Sequence, residues 1–144
     1  MTLTDWWNRT RYQLYAPAYE WLARPWEDGR RRAIERLDPG PGEKILIPGC
    51  GPGSDLDHLP EGSEVTALDV SPAMVRRTAA RGERLPMDVD ARVGDGRDLP
   101  FGDDHFDAVL LHLILSVTPD PGALAEEVAR VVKPGGRVSI FDKF

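Results

Sequence analysis

The run Ile45-Leu46-Ile47-Pro48-Gly49-Cys50-Gly51-Pro52-Gly53 constrains this chain more than any other stretch. An apolar segment of strand character ends in three glycines spaced two apart, and Ser54-Asp55 then opens a short helical segment. Glycines at a strand-to-helix turn let the backbone take conformations closed to other residues and let a ligand approach it closely. A helix beginning there offers unpaired N–H groups and a positive dipole end, where an anionic group can sit. By itself such a triplet is equally compatible with a tight turn. The residues downstream of Gly53 decide between the two.

Elements alternate from there on. Strand one is expected at 44–48, a short helix at 54–59 and strand two at 64–68. Ser71-Pro72, an N-cap followed by proline at the first helical position, starts a helix running to about Arg81. Strand three is expected at 88–93. Strand four, at 106–113, is nearly continuously apolar, as when both faces of a parallel sheet are covered. A helix over 121–132 is stopped by Lys133-Pro134-Gly135-Gly136, and strand five comes next at 137–141. This period predicts an α/β fold: a Rossmann-like, doubly wound parallel sheet of about five strands with right-handed crossovers, preceded by N-terminal helices.

In such sheets ligands bind beyond the carboxyl ends of the strands. The residues at those places are the polar and glycine-rich ones: the glycine triplet after strand one, Asp69 after strand two, Gly94-Asp95-Gly96 after strand three and His112 near the end of strand four. Asp69 lies sixteen positions after Gly53, where an acidic residue meets ribose hydroxyls in dinucleotide folds. A carboxylate suits a diol because it accepts both hydroxyl protons. The alternative is that Asp69 caps the helix at Ser71. Asp95 can accept a hydrogen bond from an adenine amino group; the alternative is a turn aspartate.

With 144 residues, the chain is expected to hold one domain, divided into an N-terminal helical lid segment over 1–38 and a cofactor-binding core over 39–144. The N-terminal stretch carries apolar and aromatic residues at helical spacing (Leu3, Trp6, Trp7, Leu14, Tyr15, Tyr19, Leu22), interrupted by Pro17 and Pro25. This stripe packs on the domain or, with its arginines, forms an interfacial helix touching a membrane surface or closing over substrate. A net charge of −6 argues against a general nucleic-acid binder. The single cysteine suits a reducing compartment, no signal peptide or transmembrane span is visible, and a cytoplasmic protein is expected. No His, Asp or Glu group shows metal-ligand spacing, so no metal site is expected.

Four blocks in order over about a hundred residues resemble the class I S-adenosylmethionine-dependent methyltransferases, specifically the type 11 domain. They are the glycine loop from Ile45 to Gly53, the segment from Ala67 to Met74, and the segment from Gly94 to Phe101. The fourth is a closing block of Phe106 to Val109, Glu127, Arg130, Val131 and Lys133 to Gly136. Tyr12 to Tyr19 is similar to the lid helix of the family's quinone and phospholipid methyltransferases. The resemblance implies S-adenosylmethionine as cofactor, its methionine carboxylate against Gly49, Gly51 and Gly53, with Cys50 a small residue lining it. Asp69 would hold the ribose, Val70 and Met74 would pack on the adenine, and Asp95 with Gly96 would meet the adenine edge. His112 would lie beside the methionine part, orienting a substrate or accepting a proton, the alternative being a satisfied core histidine; Tyr12 and Tyr19 would belong to the substrate lid.

Two features depart from the family pattern. Ile47 stands where an acidic residue usually helps hold the cofactor's amino group. The family fold continues past strand five, whereas this chain stops at Phe144, leaving strand five as a sheet edge. A truncated product is the favoured explanation, ahead of a homodimer covering that edge or a minimal domain. The function expected is methyl transfer to a small-molecule or lipid-headgroup acceptor, by in-line displacement that needs no covalent nucleophile. The alternatives are a non-catalytic or truncated cofactor-binding module or partner subunit, and a nicotinamide-binding Rossmann protein.

Overall fold

A computed structural model of the chain describes residues 26–143. The expected first helix and the lid residues Tyr12 and Tyr19 lie outside the described residues. Within them, chain order is α1 (Glu27–Leu37), β1 (Lys44–Pro48), β2 (Glu64–Asp69), α2 (Pro72–Glu83), β3 (Asp88–Val93), β4 (Phe106–His112), α3 (Pro121–Val131) and β5 (Val132–Phe141). The strands form one sheet in the order β3-β2-β1-β4-β5, and every pairing is parallel. The doubly wound α/β sheet expected from the sequence is present, with β1 at its centre.

Because side chains alternate across a strand, the apolar run of β1 serves two cores. Ile45 and Ile47 join Val65, Ala67, Ala108 and Leu110 on one face, where Ile34 and Leu37 of α1 cover them. Leu46 turns to the other face, with Leu68, Val109 and Leu111, beneath Leu124, Val128 and Val131 of α3. Burying each such aliphatic side chain contributes roughly 1.5–3 kcal/mol. That is what holds an eleven-residue helix such as α1, which would be marginal by itself. The second N-terminal helix, grouped by sequence with the 1–38 lid segment, thus packs into the sheet's core.

Helix starts match their sequence signals. The Ser71 side chain accepts from the Met74 N–H at 3.4 Å, Asp120 accepts from the Ala123 N–H at 3.0 Å, and a proline comes directly after each cap. Two boundaries differ. The helix expected over 54–59 is only a 3-10 turn, Leu56–His58, because Asp55 turns inward and Pro60 stops the chain. No helix dipole therefore stands behind the glycine loop. β5 begins at Val132 rather than Arg137: Val132 pairs with Phe106, residues 133–136 bulge out, and pairing resumes at Arg137 with Ala108. Read locally, Lys-Pro-Gly-Gly is a breaker; in the fold it is an irregular part of a strand. Among the described residues β5 stands at the edge of the sheet, with Val138 39% and Ile140 57% exposed.

Candidate functional site

The glycine loop crosses from β1 onto the end of β2. The Gly49 and Cys50 N–H groups both donate to the Leu68 carbonyl, at 2.7 and 2.8 Å, and the Gly51 N–H donates to Asp69 Oδ2 at 2.9 Å. Thr78 of α2 donates its hydroxyl to the Gly51 carbonyl at 2.8 Å. Gly49, Gly51 and Gly53 have φ of 76, 56 and 85°, left-handed conformations that strain other residues. A Cβ at Gly49 would also fall 2.4 Å from the Ile114 side chain, in the turn after β4.

Asp69 is the loop's counterpart on β2. Its Oδ1 accepts from the Ser71 N–H at 2.9 Å, so the carboxylate ties the loop to the start of α2, while the cap itself is the Ser71 hydroxyl. Burial pushes the Asp69 carboxyl above the usual carboxylate range, against the lowering effect of the Ser71, Gly51 and Val70 N–H groups. The bonds from Gly51 to Oδ2 and from Ser71 to Oδ1, with the Val70 N–H nearby, still leave the carboxylate acceptor capacity for a diol. Val70 beside it is partly exposed, whereas Met74 is buried, beneath the surface on which the adenine was expected to rest.

The third strand end is drawn in by the Gly94 N–H, which donates to the Asp69 carbonyl at 3.0 Å. Asp95 is gripped by Arg97: Nη2 donates to Oδ2 at 2.6 Å, and Nε and the backbone N–H donate to Oδ1 at 3.0 and 2.9 Å. Nothing in the sequence reading anticipated that partner, although a carboxylate and an arginine two residues apart in a turn were open to view. Gly96 sits where a Cβ would come within 2.7 Å of Leu124 and 3.3 Å of Pro48, so its small size seats this turn against the end of β1. The glycine loop, Asp69 and Asp95 thus gather at the carboxyl ends of the adjacent strands β1, β2 and β3.

Two residues are chemically quieter than their positions suggested. Burial, with the Asp69 charge behind it, pushes the Cys50 thiol up to about 12, so it stays protonated and is no nucleophile. Of the two readings of His112, the geometry favours the core histidine. Its side chain is wholly enclosed, with Nδ1 2.7 Å from Asp55 Oδ1 and Nε2 2.8 Å from Ser139 Oγ. With both ring nitrogens engaged inside the protein, it is a satisfied core histidine, not a group offered to a substrate proton. Asp55 in turn accepts from Arg30 Nη1 at 3.2 Å. Arg30, Asp55, Ser139 and Thr78 were all missed by sequence reasoning. Each acts through partners 25 to 57 positions away, which leave no local pattern.

Among the described residues no cluster of His, Cys, Asp and Glu is placed to hold a metal, and no helix is long and apolar enough to cross a membrane. A hollow of about 390 Å³ lies at the opposite, amino end of the sheet, lined by Lys44, Glu64, Asp88, Asp90 and His105. It is remote from the glycine loop by the length of the strands.

Comparison with known proteins bears on this arrangement. A family profile described as a methyltransferase domain matches residues 46–140. The chain is 36% identical over 115 residues to nocamycin O-methyltransferase of Saccharothrix syringae, covering 76% of this chain and 41% of that protein. It is 41% identical over 114 residues to demethylmenaquinone methyltransferase of Corynebacterium efficiens, covering 78% of this chain and 47% of that protein. The chain therefore spans less than half the length of these relatives. Among solved structures, the complex of the Haloferax volcanii Trm112 methyltransferase activator with a putative methyltransferase superposes with a TM-score of 0.76. The identity is 31%, covering 89% of this chain and 57% of that one. The [4+2]-cyclase SpnF superposes with a TM-score of 0.69 at 28% identity, covering 78% of this chain and 44% of that one. With the family's segment running from β1 to β5, this chain belongs to the type 11 methyltransferase domain family, whose methyl-transferring members use S-adenosylmethionine.

Proposed function

We propose that the protein transfers a methyl group from S-adenosylmethionine to a small-molecule or lipid-headgroup acceptor. The observation that carries this reading is the bond from the Gly51 N–H to Asp69 Oδ2, which locks a glycine cradle and a carboxylate side by side. The residues suit the cofactor's parts: the bare backbone of the glycine loop, whose three glycine N–H groups are already bonded to Leu68, Asp69 and Cys50, leaves room for its amino-acid end, the remaining lone pairs of Asp69 suit its ribose, and Asp95 with Val70 its adenine. The cofactor, when bound, supplies an electrophilic methyl group on a sulfonium. The chain's own task is then to hold that group, align an acceptor and exclude water. No side chain of the described site is a candidate nucleophile.

Titration calorimetry with S-adenosylhomocysteine and with NAD tests the reading. Binding of the first and not the second is expected; the reverse would make this a nicotinamide protein. Transfer of labelled methyl from the cofactor to quinone precursors or phospholipid amines then tests the acceptor. The demethylmenaquinone and nocamycin enzymes among the relatives favour a hydrophobic small molecule, as does the aromatic N-terminal stretch containing Tyr12 and Tyr19. The [4+2]-cyclase neighbour favours a second reading, in which the same scaffold binds cofactor without transferring its methyl. That protein would bind S-adenosylhomocysteine and turn over no acceptor. The reading also includes a reducing, cytoplasmic setting and a protein partner, an activator subunit or a second copy across the β5 edge.

A further inference from the structure

We propose that Asp55, held between Arg30 and His112, positions the glycine loop for the amino-acid end of the cofactor. The proposal rests on the cofactor reading above but concerns residues outside the four sequence blocks of the glycine-loop, ribose, adenine and closing segments. Four side chains form one buried line: Arg30 of α1, Asp55 at the exit of the loop, His112 at the end of β4 and Ser139 of β5. Their links are 3.2, 2.7 and 2.8 Å long. The side chains of Arg30, Asp55 and His112 are 4, 3 and 0% exposed. If the imidazole is neutral, Nδ1–H donates to the carboxylate and Nε2 accepts from the Ser139 hydroxyl; an imidazolium donates to both.

The loop needs such an anchor. Three of its residues are glycines in left-handed conformations, the residues with the most freedom to lose on folding. Its entrance is fixed by the Leu68 carbonyl and Asp69, and its middle by Thr78. On the exit side the backbone bonds are short-range, from Gly53 to Cys50 and from Leu56 to Gly53. Asp57 with Arg81 (3.1 Å) and His58 with Glu27 (2.9 Å) tie the following turn to the helices nearer the surface, and the Asp55 carboxylate is the fully buried polar link on that side. A buried carboxylate cannot wander, since leaving either partner strands a charge in the interior. The clamp is also not arranged for maximal strength. Among the described residues Arg30 Nε has no hydrogen-bond partner, Glu27 Oε1 standing 4.0 Å away, and only one guanidinium nitrogen donates to Asp55, where a two-pronged pairing would bind harder. An arrangement that leaves a donor unsatisfied while holding the loop fits a device for placement.

The test compares Asp55→Asn and His112→Gln with Leu37→Ala, which removes apolar packing between α1 and the sheet and leaves the clamp intact. Two readouts are taken on protein well below its melting transition: the Kd for S-adenosylhomocysteine, and amide hydrogen exchange across residues 49–56 without ligand. Asp55→Asn and His112→Gln should raise the Kd about tenfold, the scale of one lost charge-assisted hydrogen bond, and speed exchange in the loop. Leu37→Ala should lower the melting temperature while leaving both readouts at their wild-type values. If Asp55→Asn also lowers only the melting temperature, the clamp is structural and the proposal is overturned. Should Asp55→Asn fail to fold, Ser139→Ala, which cuts only the outer link, should raise the Kd about two- to threefold and speed the same amides. Unchanged values there overturn it too. A wild-type protein that binds no S-adenosylhomocysteine would remove the cofactor reading, while the exchange comparison would still decide whether Asp55 holds the loop.

Discussion

Asp55 and Asp69 are both buried carboxylates beside one loop, the first just past its exit and the second bonded to Gly51 from the end of β2, and their surroundings push them in opposite directions. Burial pushes both up. At Asp55 the His112 hydrogen bond and the charges of His112 and Arg30 outweigh it, holding the carboxyl below its usual range. At Asp69 only backbone N–H groups oppose burial, and the carboxyl ends above its usual range. The ionised Asp55 therefore contributes stability that is present above about pH 4 and lost as pH falls further through its lowered folded value. Asp69 runs the other way: its ionisation costs stability as pH rises from about 4 through its raised folded value. Urea titrations across this range should show a shallower acid decline for Asp55→Asn than for wild type, and a flatter profile above pH 4 for Asp69→Asn. Removing the charge and the shape together, as in Asp55→Ala, leaves Arg30 and His112 uncompensated and should cost about 3–5 kcal/mol in the same assay. Gly49→Ala should cost at least about 2 kcal/mol, since it meets both a left-handed backbone and the Ile114 side chain.

At the scale of elements, α3 does more than cover a face of the sheet. Its Glu127 accepts from the Leu99 N–H at 2.7 Å, and its Arg130 donates to the carbonyls of Phe101 and Leu99 at 2.7 and 3.0 Å. These bonds hold the segment that leaves Asp95 and returns to β4. Glu127→Ala should cost roughly 1–2 kcal/mol and speed amide exchange over residues 97–103, with β1 and β2 unaffected. The elements themselves were legible because their signals are local. Ser71-Pro72 starts a helix, and the apolar 106–112 run marks a strand buried on both sides. What stayed hidden depends on pairings made across the fold. Residues 133–136 look like a break until Phe106 and Ala108 are seen to grip β5 on either side of them. His112 looks free until Asp55 and Ser139, 57 positions before it and 27 after, are brought to its ring. The carboxyl-end rule picks out Asp69 and Asp95 by their places after β2 and β3 and is blind to Arg97's grip for the same reason: it reads position, not partners.

At the scale of the whole molecule, the two strands that flank the sheet among the described residues differ. β3 carries charged residues at every second position of one face, Asp88, Asp90 and Arg92, which discourage pairing with another chain although Val93 at its end is exposed. β5 offers Val138 and Ile140 instead. Sedimentation at rising concentration should show association, and Ile140→Lys should shift it toward monomer without altering S-adenosylhomocysteine binding. β5 also bears on how the polypeptide reaches its native state. Arg137 donates to the Leu37 carbonyl one hundred positions earlier, and Ser139 closes the polar line begun by Arg30. On a ribosome, the helix and the glycine hinge emerge long before the segment that locks them in place. Nascent chains arrested before Ser139 should leave Asp55 and His112 short of their last link, stay open to proteases, and become resistant only when β5 has cleared the exit tunnel.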